Sequence, residues 1–390
     1  MQLDAIQAAL REHNLDGWLF YDHHGRDPLA YRILGLDPAM HVTRRWFYLV
    51  PAHGEPQKLV HRIESGRLDS LLGAKDEYSS WQELEAKLQA MLTGKTHLAM
   101  QYSPRNAIMY VSMVDAGTIE LLRDWGKHIV SSADLVSRFE AVLSDGQIAT
   151  HYAAQEKIDG ILAEAWRVIG QRARSSQPPN EYDIVEWLSE AMRRESLIWQ
   201  HGPNVSCGPN SADSHYEPTQ TAARTIRRGD FVLIDIWGKL DQPGAVYYDI
   251  TWTGVVDREP SPREQMVFET VRNARDAAIS LVQQRFAVAT PIAGWEADDA
   301  ARSVIEQAGL GAWFTHRTGH NIGPEIHGSG AHLDNLETHD VRLVLPHTCF
   351  SVEPGVYFPG EFGLRSEINI ITRPGDARVT GAVQTQLVRI

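Results

Sequence analysis

Cysteine is scarce in this sequence, with only Cys207 and Cys349 among 390 residues. Two thiols cannot build the framework of bridges that holds small secreted domains together, and neither stands in a spacing that marks a nucleophile or a zinc ribbon. Both read as small buried apolar residues. An excess of positive charge is lacking too: 37 Lys and Arg face 50 Asp and Glu, a net of −13, so a nucleic-acid partner has no electrostatic support. No run approaches the roughly eighteen apolar residues that cross a bilayer, which argues against a membrane partner. The first residues carry Asp4 and no apolar core of signal-peptide length, and the default expectation is cytoplasmic. A Gly-x-Gly-x-x-Gly dinucleotide loop, a Gly-x-Ser-x-Gly elbow, low-complexity segments and short-period repeats are absent.

What is present suits an α/β (α+β) chain of two domains, 1–140 and 141–390. An amphipathic helix with Leu3, Ile6 and Leu10 on one face leads into a strand at 18–21. Further strands are expected at 46–50, 58–61 and 97–101, and helices at 64–72, 81–92 and 116–124. A short helix over 135–143 then precedes a longer one from Gln147. Ser261-Pro-Arg-Glu264 is a capping box with Pro at the first helical position, and Gly309 should end the helix that starts near Trp295.

Four carboxylates and one imidazole stand out in the second half. Asp235 closes the apolar run Phe231-Val-Leu-Ile, and Asp249 lies in the β-rich segment 246–253, reached through a turn at 241–244. A hairpin would bring the two together. Glu353 ends a strand before Pro354-Gly355, and Glu367 is expected on a strand running from Arg365 to Ile371. Carboxylates gathered on neighbouring strands repel one another unless cations bind between them. Oxygen-rich ligation with a single imidazole, His320, favours Mn²⁺ over Zn²⁺, with Co²⁺ as a substitute.

These residues sit in segments that together resemble one family. Val232-Leu-Ile-Asp235, Asp249-Ile-Thr251, His316-Arg-Thr-Gly-His-Asn-Ile-Gly323, Ser351-Val-Glu-Pro-Gly-Val-Tyr357 and Gly363-Leu-Arg-Ser-Glu367 occur in the order found in the pita-bread metallopeptidases. That is the family of Xaa-Pro dipeptidase (prolidase), aminopeptidase P and methionine aminopeptidase, and the resemblance covers roughly residues 145 to 390. It implies a pita-bread catalytic domain after a creatinase-like N-terminal α/β domain. The metal ligands would be Asp235, Asp249, His320, Glu353 and Glu367, holding two divalent ions and a bridging hydroxide. Glu353 would also shuttle the proton. His215 and His327 would contact the scissile peptide, His316 would shape the pocket, and Tyr357 would lie near it. Arg365 would orient Glu367 or hold a substrate carboxylate, and Thr251 would hydrogen-bond beside the bridging water. His332, His339 and His347 are expected in surface or polar-packing roles.

The extra N-terminal domain argues against methionine aminopeptidase, and the resemblance to the proline-directed members, which usually carry it, implies a homodimer acting on proline-containing dipeptides or short peptides. Xaa-Pro dipeptidase is the first expectation and aminopeptidase P the alternative. A creatinase-like C–N hydrolase or a non-catalytic binding module is disfavoured because all five ligands are present. Four departures bear on substrate class: a longer Asp235–Asp249 hairpin, Trp252 in place of Arg, Asn321 in place of Gly, and Ile368-Asn369 in place of an acidic residue.

Overall fold

The computed structural model describes residues 2–390, and the chain divides into two compact units, Met1–Glu140 and Ala141–Ile390. Unit one is built on a sheet ordered β4-β3-β2-β1-β5-β6. Its strands are β1 Gly17–Asp22, β2 Trp46–Pro51, β3 Gln57–His61, β4 Ala74–Tyr78, β5 His97–Met100 and β6 His128–Ser131. Side chains alternate across a strand, so Trp18, Phe20 and Tyr48 enter one apolar core while Leu19, Tyr21, Phe47 and Leu49 enter another. Helices α1 Leu3–Glu12 and α2 Pro28–Leu34 cover the first core, and α3 Trp81–Met91 and α4 Ala116–Asp124 cover the second. Both faces being covered is why β1 is buried along its whole length.

Two expectations in this unit need correction. The helix expected over 64–72 is only a 3₁₀ turn at Arg62–Glu64 followed by turns, because the Glu64 carboxylate is spent on Thr43 and Arg44 backbone N–H groups rather than on a helix start. The helix expected over 135–143 is split into α5 Ala133–Val136 and a π-turn at Ser137–Ala141.

Unit two is organised around the antiparallel hairpin of β9 Phe231–Leu240 and β10 Tyr248–Val255. Strands β7 Leu197–Ile198 and β8 Asn204–Cys207 pair with β9. A second sheet runs β11-β12-β15-β16, from Asn321–Ile322, Cys349–Val352, Ile368–Arg373 and Asp376–Thr380, while β13 Gly355–Phe358 and β14 Phe362–Arg365 form a separate pair. The short β17 Val388–Arg389 lies parallel to β10. Around these strands pack α6 Asp145–Ala173, α7 Glu181–Arg194, α8 Pro262–Ala287 and α9 Gly294–Gln307, which share one large apolar core with them. The capping box forms: Ser261 Oγ accepts from the Glu264 N–H at 3.2 Å and Glu264 Oε2 from the Ser261 N–H at 2.7 Å. Gly309 takes a positive φ of 76° just past α9, a conformation in which a side chain would be strained. Among the described residues no helix is long and apolar enough to cross a membrane.

Candidate metal centre

In the β9–β10 hairpin Asp235 stands opposite Thr251, and Asp249 opposite Trp237. Opposed residues of an antiparallel pair share a face, as do residues two apart on a strand. Asp235, Trp237, Thr251 and Asp249 therefore project to one side. Glu367 reaches that side from elsewhere, and not from within a strand as the sequence suggested. β14 ends at Arg365 and β15 starts at Ile368, so Glu367 lies where the chain passes from one sheet to another. Its N–H bonds to the Thr251 carbonyl at 3.2 Å, which pins the break over the hairpin. His320 and Glu353 come from a third direction, tied together by Ser351. The Ser351 Oγ accepts from the His320 N–H at 2.9 Å and donates to Glu353 Oε1 at 3.1 Å.

The donor set fits divalent cations on its own chemistry. Asp249, His320 and Glu367 each offer a ligand atom, and these atoms all lie within 4.8 Å of one another. Asp249 Oδ1 and Glu367 Oε1 are buried with no hydrogen-bond partner among the described residues, an arrangement that costs free energy unless something positive satisfies it. Thr251 Oγ1 lies 2.8 Å from Asp235 Oδ1 and 2.7 Å from Glu367 Oε2. Its single proton can serve only one of them. His320 Nδ1 faces the Asn321 carbonyl at 3.3 Å, which can only accept, so a neutral ring points its Nε2 lone pair at Asp249 Oδ2, 3.6 Å away, and Glu353 Oε1, 3.4 Å away. An imidazole held through its other nitrogen by a carbonyl is the usual setting of a metal-ligating histidine.

Electrostatics separate the carboxylates. Burial, with help from neighbouring carboxylates, pushes Asp235, Asp249 and Glu367 above the ordinary range. Burial also pushes Glu353 up, but His320, Arg365, His316 and Arg317 outweigh it and leave Glu353 below its ordinary value. Arg365 is the cation embedded in the group. It pairs with Asp235 rather than with Glu367, donates through Nε to Thr251 Oγ1 at 3.0 Å, and lies 3.9 Å from Glu353 Oε2.

A cavity of about 560 Å³ opens over these residues, and His215, His316, His327 and Arg365 line it with the ligand group. His327 packs edge-on against His320 with ring centroids 4.4 Å apart. His320 first, then burial, pushes the His327 pKa down to about 3, so the ring is neutral at physiological pH. His316 does not have the free nitrogen that a substrate contact needs. Its Nδ1 lies 2.7 Å from the Arg317 carbonyl, which fixes the proton there, and its Nε2 lies 2.8 Å from the Tyr357 hydroxyl, which donates to it. Tyr357 is buried behind His316 and Arg365, with its oxygen 3.3 Å from Arg365 Nη1, so it backs the wall instead of facing substrate.

Two of the departures in sequence find structural uses. The Asn321 amide donates to the Cys349 carbonyl at 2.9 Å and accepts from the Gly330 N–H at 2.9 Å, which fastens the loop carrying His327. Asn369 Oδ1 accepts the Asp249 N–H at 2.9 Å. Trp252 alternates with Thr251 and packs into the large apolar core, away from the cavity. Cys207 and Cys349 are free and buried. His332 is wholly buried with Nδ1 accepting from Asn321 N at 3.0 Å, and His339 Nδ1 meets Asn335 Oδ1 at 2.6 Å.

The profile of metallopeptidase family M24 matches residues 150–374, more than half of the chain. The chain belongs to that family. It is 27% identical over 349 residues to the probable dipeptidase PepE of Mycobacterium tuberculosis (strain H37Rv), covering 87% of this chain and 84% of that one. It is 34% identical over 173 residues to the Xaa-Pro dipeptidase of Lactobacillus helveticus, 44% of this chain and 42% of the other. The crystal structure of dipeptidase PepE from Mycobacterium ulcerans superposes with a TM-score of 0.74 at 23% identity, over 100% of this chain and 96% of that one. This M24 chain is thus a metallopeptidase with the α/β pita-bread architecture.

Sequence reading missed one residue that organises the site. Glu181, at the first position of α7, is wholly buried and points its carboxylate at the loop leading to His215. It accepts from the Cys207 and Arg224 N–H groups, both at 2.7 Å, from the Asn210 amide at 3.0 Å and from the Tyr216 hydroxyl at 2.7 Å. Its position at a helix start, where acidic residues are common, hid it. Glu181→Gln turns one acceptor into a donor and leaves buried groups unsatisfied, a cost of about 2 kcal/mol. The expected result is a melting temperature lower by roughly 5 °C, read by differential scanning calorimetry; an unchanged value would show that the loop is held by its other contacts.

Proposed function

We propose that this M24 chain hydrolyses the peptide bond before proline, with Xaa-Pro dipeptides as substrates. The observation that carries the reading is the pair of partnerless buried oxygens, Asp249 Oδ1 and Glu367 Oε1, at the floor of an open cavity beside His320. The relative named Xaa-Pro dipeptidase supports the proline preference. Asp235, Asp249, His320, Glu353 and Glu367 would together hold two divalent cations. The oxygen-rich set suits Mn²⁺. When bound, the ions supply a water activated for attack and polarise the scissile carbonyl.

The protein's own groups do the rest. Glu353, ionised below the ordinary range, accepts the proton of the attacking water on a carboxylate oxygen and returns it to the departing proline nitrogen. His327, neutral and facing the cavity, donates an N–H to the carbonyl oxygen as charge builds there. His215, which lines the same cavity from the loop that follows Ala212, contacts the peptide as well. Arg365 and Thr251 hold Asp235 and Glu367 in place, while Tyr357 locks His316 into the wall.

The test is release of proline from Ala-Pro and Met-Pro, beside release of the first residue from a Xaa-Pro-Xaa tripeptide, after chelation and addition of Mn²⁺. Restored cleavage of the dipeptides alone is the expected result. Cleavage of the tripeptide would instead assign aminopeptidase P activity, and equal cleavage of Ala-Ala would remove the proline requirement.

A further inference from the structure

We propose that Trp237 selects the first residue of the substrate, its indole forming with Ile326 an apolar subsite for an aliphatic or aromatic side chain. This rests on the peptidase reading but not on its proline requirement.

Most of the cavity lining is polar or charged: the carboxylates, five histidines, Arg317, Glu217 and Glu337. Apart from the amphipathic Tyr216, Trp237 and Ile326 supply the large apolar side chains of that lining among the described residues. Both rest against the same buried cluster, which includes Tyr247, Ile322 and Cys349, so they belong to one wall. An apolar substrate side chain therefore has one place in the cavity where it can leave water.

The position of the wall says which substrate residue it serves. Trp237 is two residues beyond Asp235 on β9 and directly opposite Asp249 on β10, so all three share a face. A free α-amino group is drawn to the acidic edge of the hairpin, and the side chain on the same carbon then meets the indole. The ring is also held by close backbone contact. Gly202 has φ 76°, and a Cβ there would lie 2.3 Å from Trp237 Cη2, so the glycine backbone lies flush against the ring. Half-buried in this seat, Trp237 presents to the cavity an aromatic surface whose ring is fixed by backbone contact at Gly202.

The experiment measures kcat/KM for Leu-Pro, Gly-Pro, Leu-Ala and Gly-Ala with the full chain loaded with Mn²⁺, in the native protein and in Trp237→Ala and Ile326→Ala. The native protein is expected to favour leucine over glycine at the first position by about tenfold or more. Each variant should collapse that ratio toward one, with the larger effect in Trp237→Ala. A native ratio near one, or variants that slow leucine and glycine peptides equally, would overturn the proposal. Leucine and glycine peptides are compared with alanine as well as proline in second place, so loss of the proline preference would sink that part of the function reading and leave the Trp237 ratio readable. Ile326→Ala guards against Trp237→Ala failing to fold, since the second variant removes less of the wall.

Discussion

Glu367→Gln is expected to abolish metal-restored peptidase activity, by roughly a thousandfold or more, and at the same time to raise the melting temperature of the metal-free protein. The two effects have one cause. Without cations, Glu367 Oε1 has no partner, its carboxylate is buried, and its ligand atom lies within 4.8 Å of that of Asp249. Burial and then the neighbouring Asp249, Glu353 and Asp235 hold its pKa well above the ordinary value. A neutral amide removes one charge from this group and offers an N–H where Asp249 Oδ1 lacks a donor. The sign follows from proton linkage. A carboxyl whose folded pKa is raised binds more protons folded than unfolded once the pH exceeds the unfolded value of about 4.3, so metal-free stability falls as pH rises from there toward the folded pKa. Glu367→Gln removes that share of the loss. Its advantage should be absent near pH 4 and grow toward neutrality, read by thermal melts in chelator across that range. A variant that melts below the native protein at pH 7 would show that Glu367 contributes packing or hydrogen bonds worth more than its buried charge costs.

Arg365→Met should push metal-free stability the other way. Arg365 is buried among the same carboxylates, paired with Asp235 and bonded to Thr251 Oγ1 at 3.0 Å. Removing one member of a buried pair leaves its partner uncompensated, at a cost of about 3–5 kcal/mol, or a melting temperature lower by about 10 °C. Tyr357 loses its donor at 3.3 Å and His316 loses the far end of its support, so activity is expected to fall by roughly a hundredfold even with metal bound. Arg365→Lys should not rescue it, because a single ammonium cannot meet Asp235, Thr251 and Tyr357 together. Binding of Mn²⁺ should restore part of the lost melting temperature by supplying positive charge to Asp235. Equal melting temperatures for the metal-free native and Arg365→Met proteins would remove Arg365 from the charge balance.

Much of the fold was readable because its signals are local. The alternation of Trp18, Leu19, Phe20 and Tyr21 marks a strand buried on both sides, and Ser261 with Glu264 marks a helix start, whatever surrounds them. The 64–72 helix failed for the same reason in reverse: local propensity pointed to a helix, but Glu64 was claimed by backbone groups of Thr43 and Arg44, twenty or more residues away. Glu367 was placed on a strand because its neighbours are β-rich, and only the change of sheet between Arg365 and Ile368 freed it to turn toward the hairpin.

The sequence by itself determined which chemical groups the site could contain, since four carboxylates and an imidazole in characteristic local segments are properties of composition and order. Tertiary structure alone decided how those groups meet. Thr251 bonds to Glu367 across 116 positions and Arg365 to Asp235 across 130, separations at which no local pattern constrains geometry. Strand register set Trp237 beside both aspartates, and packing occupied both nitrogens of His316. It also left one oxygen each of Asp249 and Glu367 without a partner. Residue types are written in the chain, but hydrogen bonds and charge separations a few ångströms long exist only once distant strands have been brought to a common register.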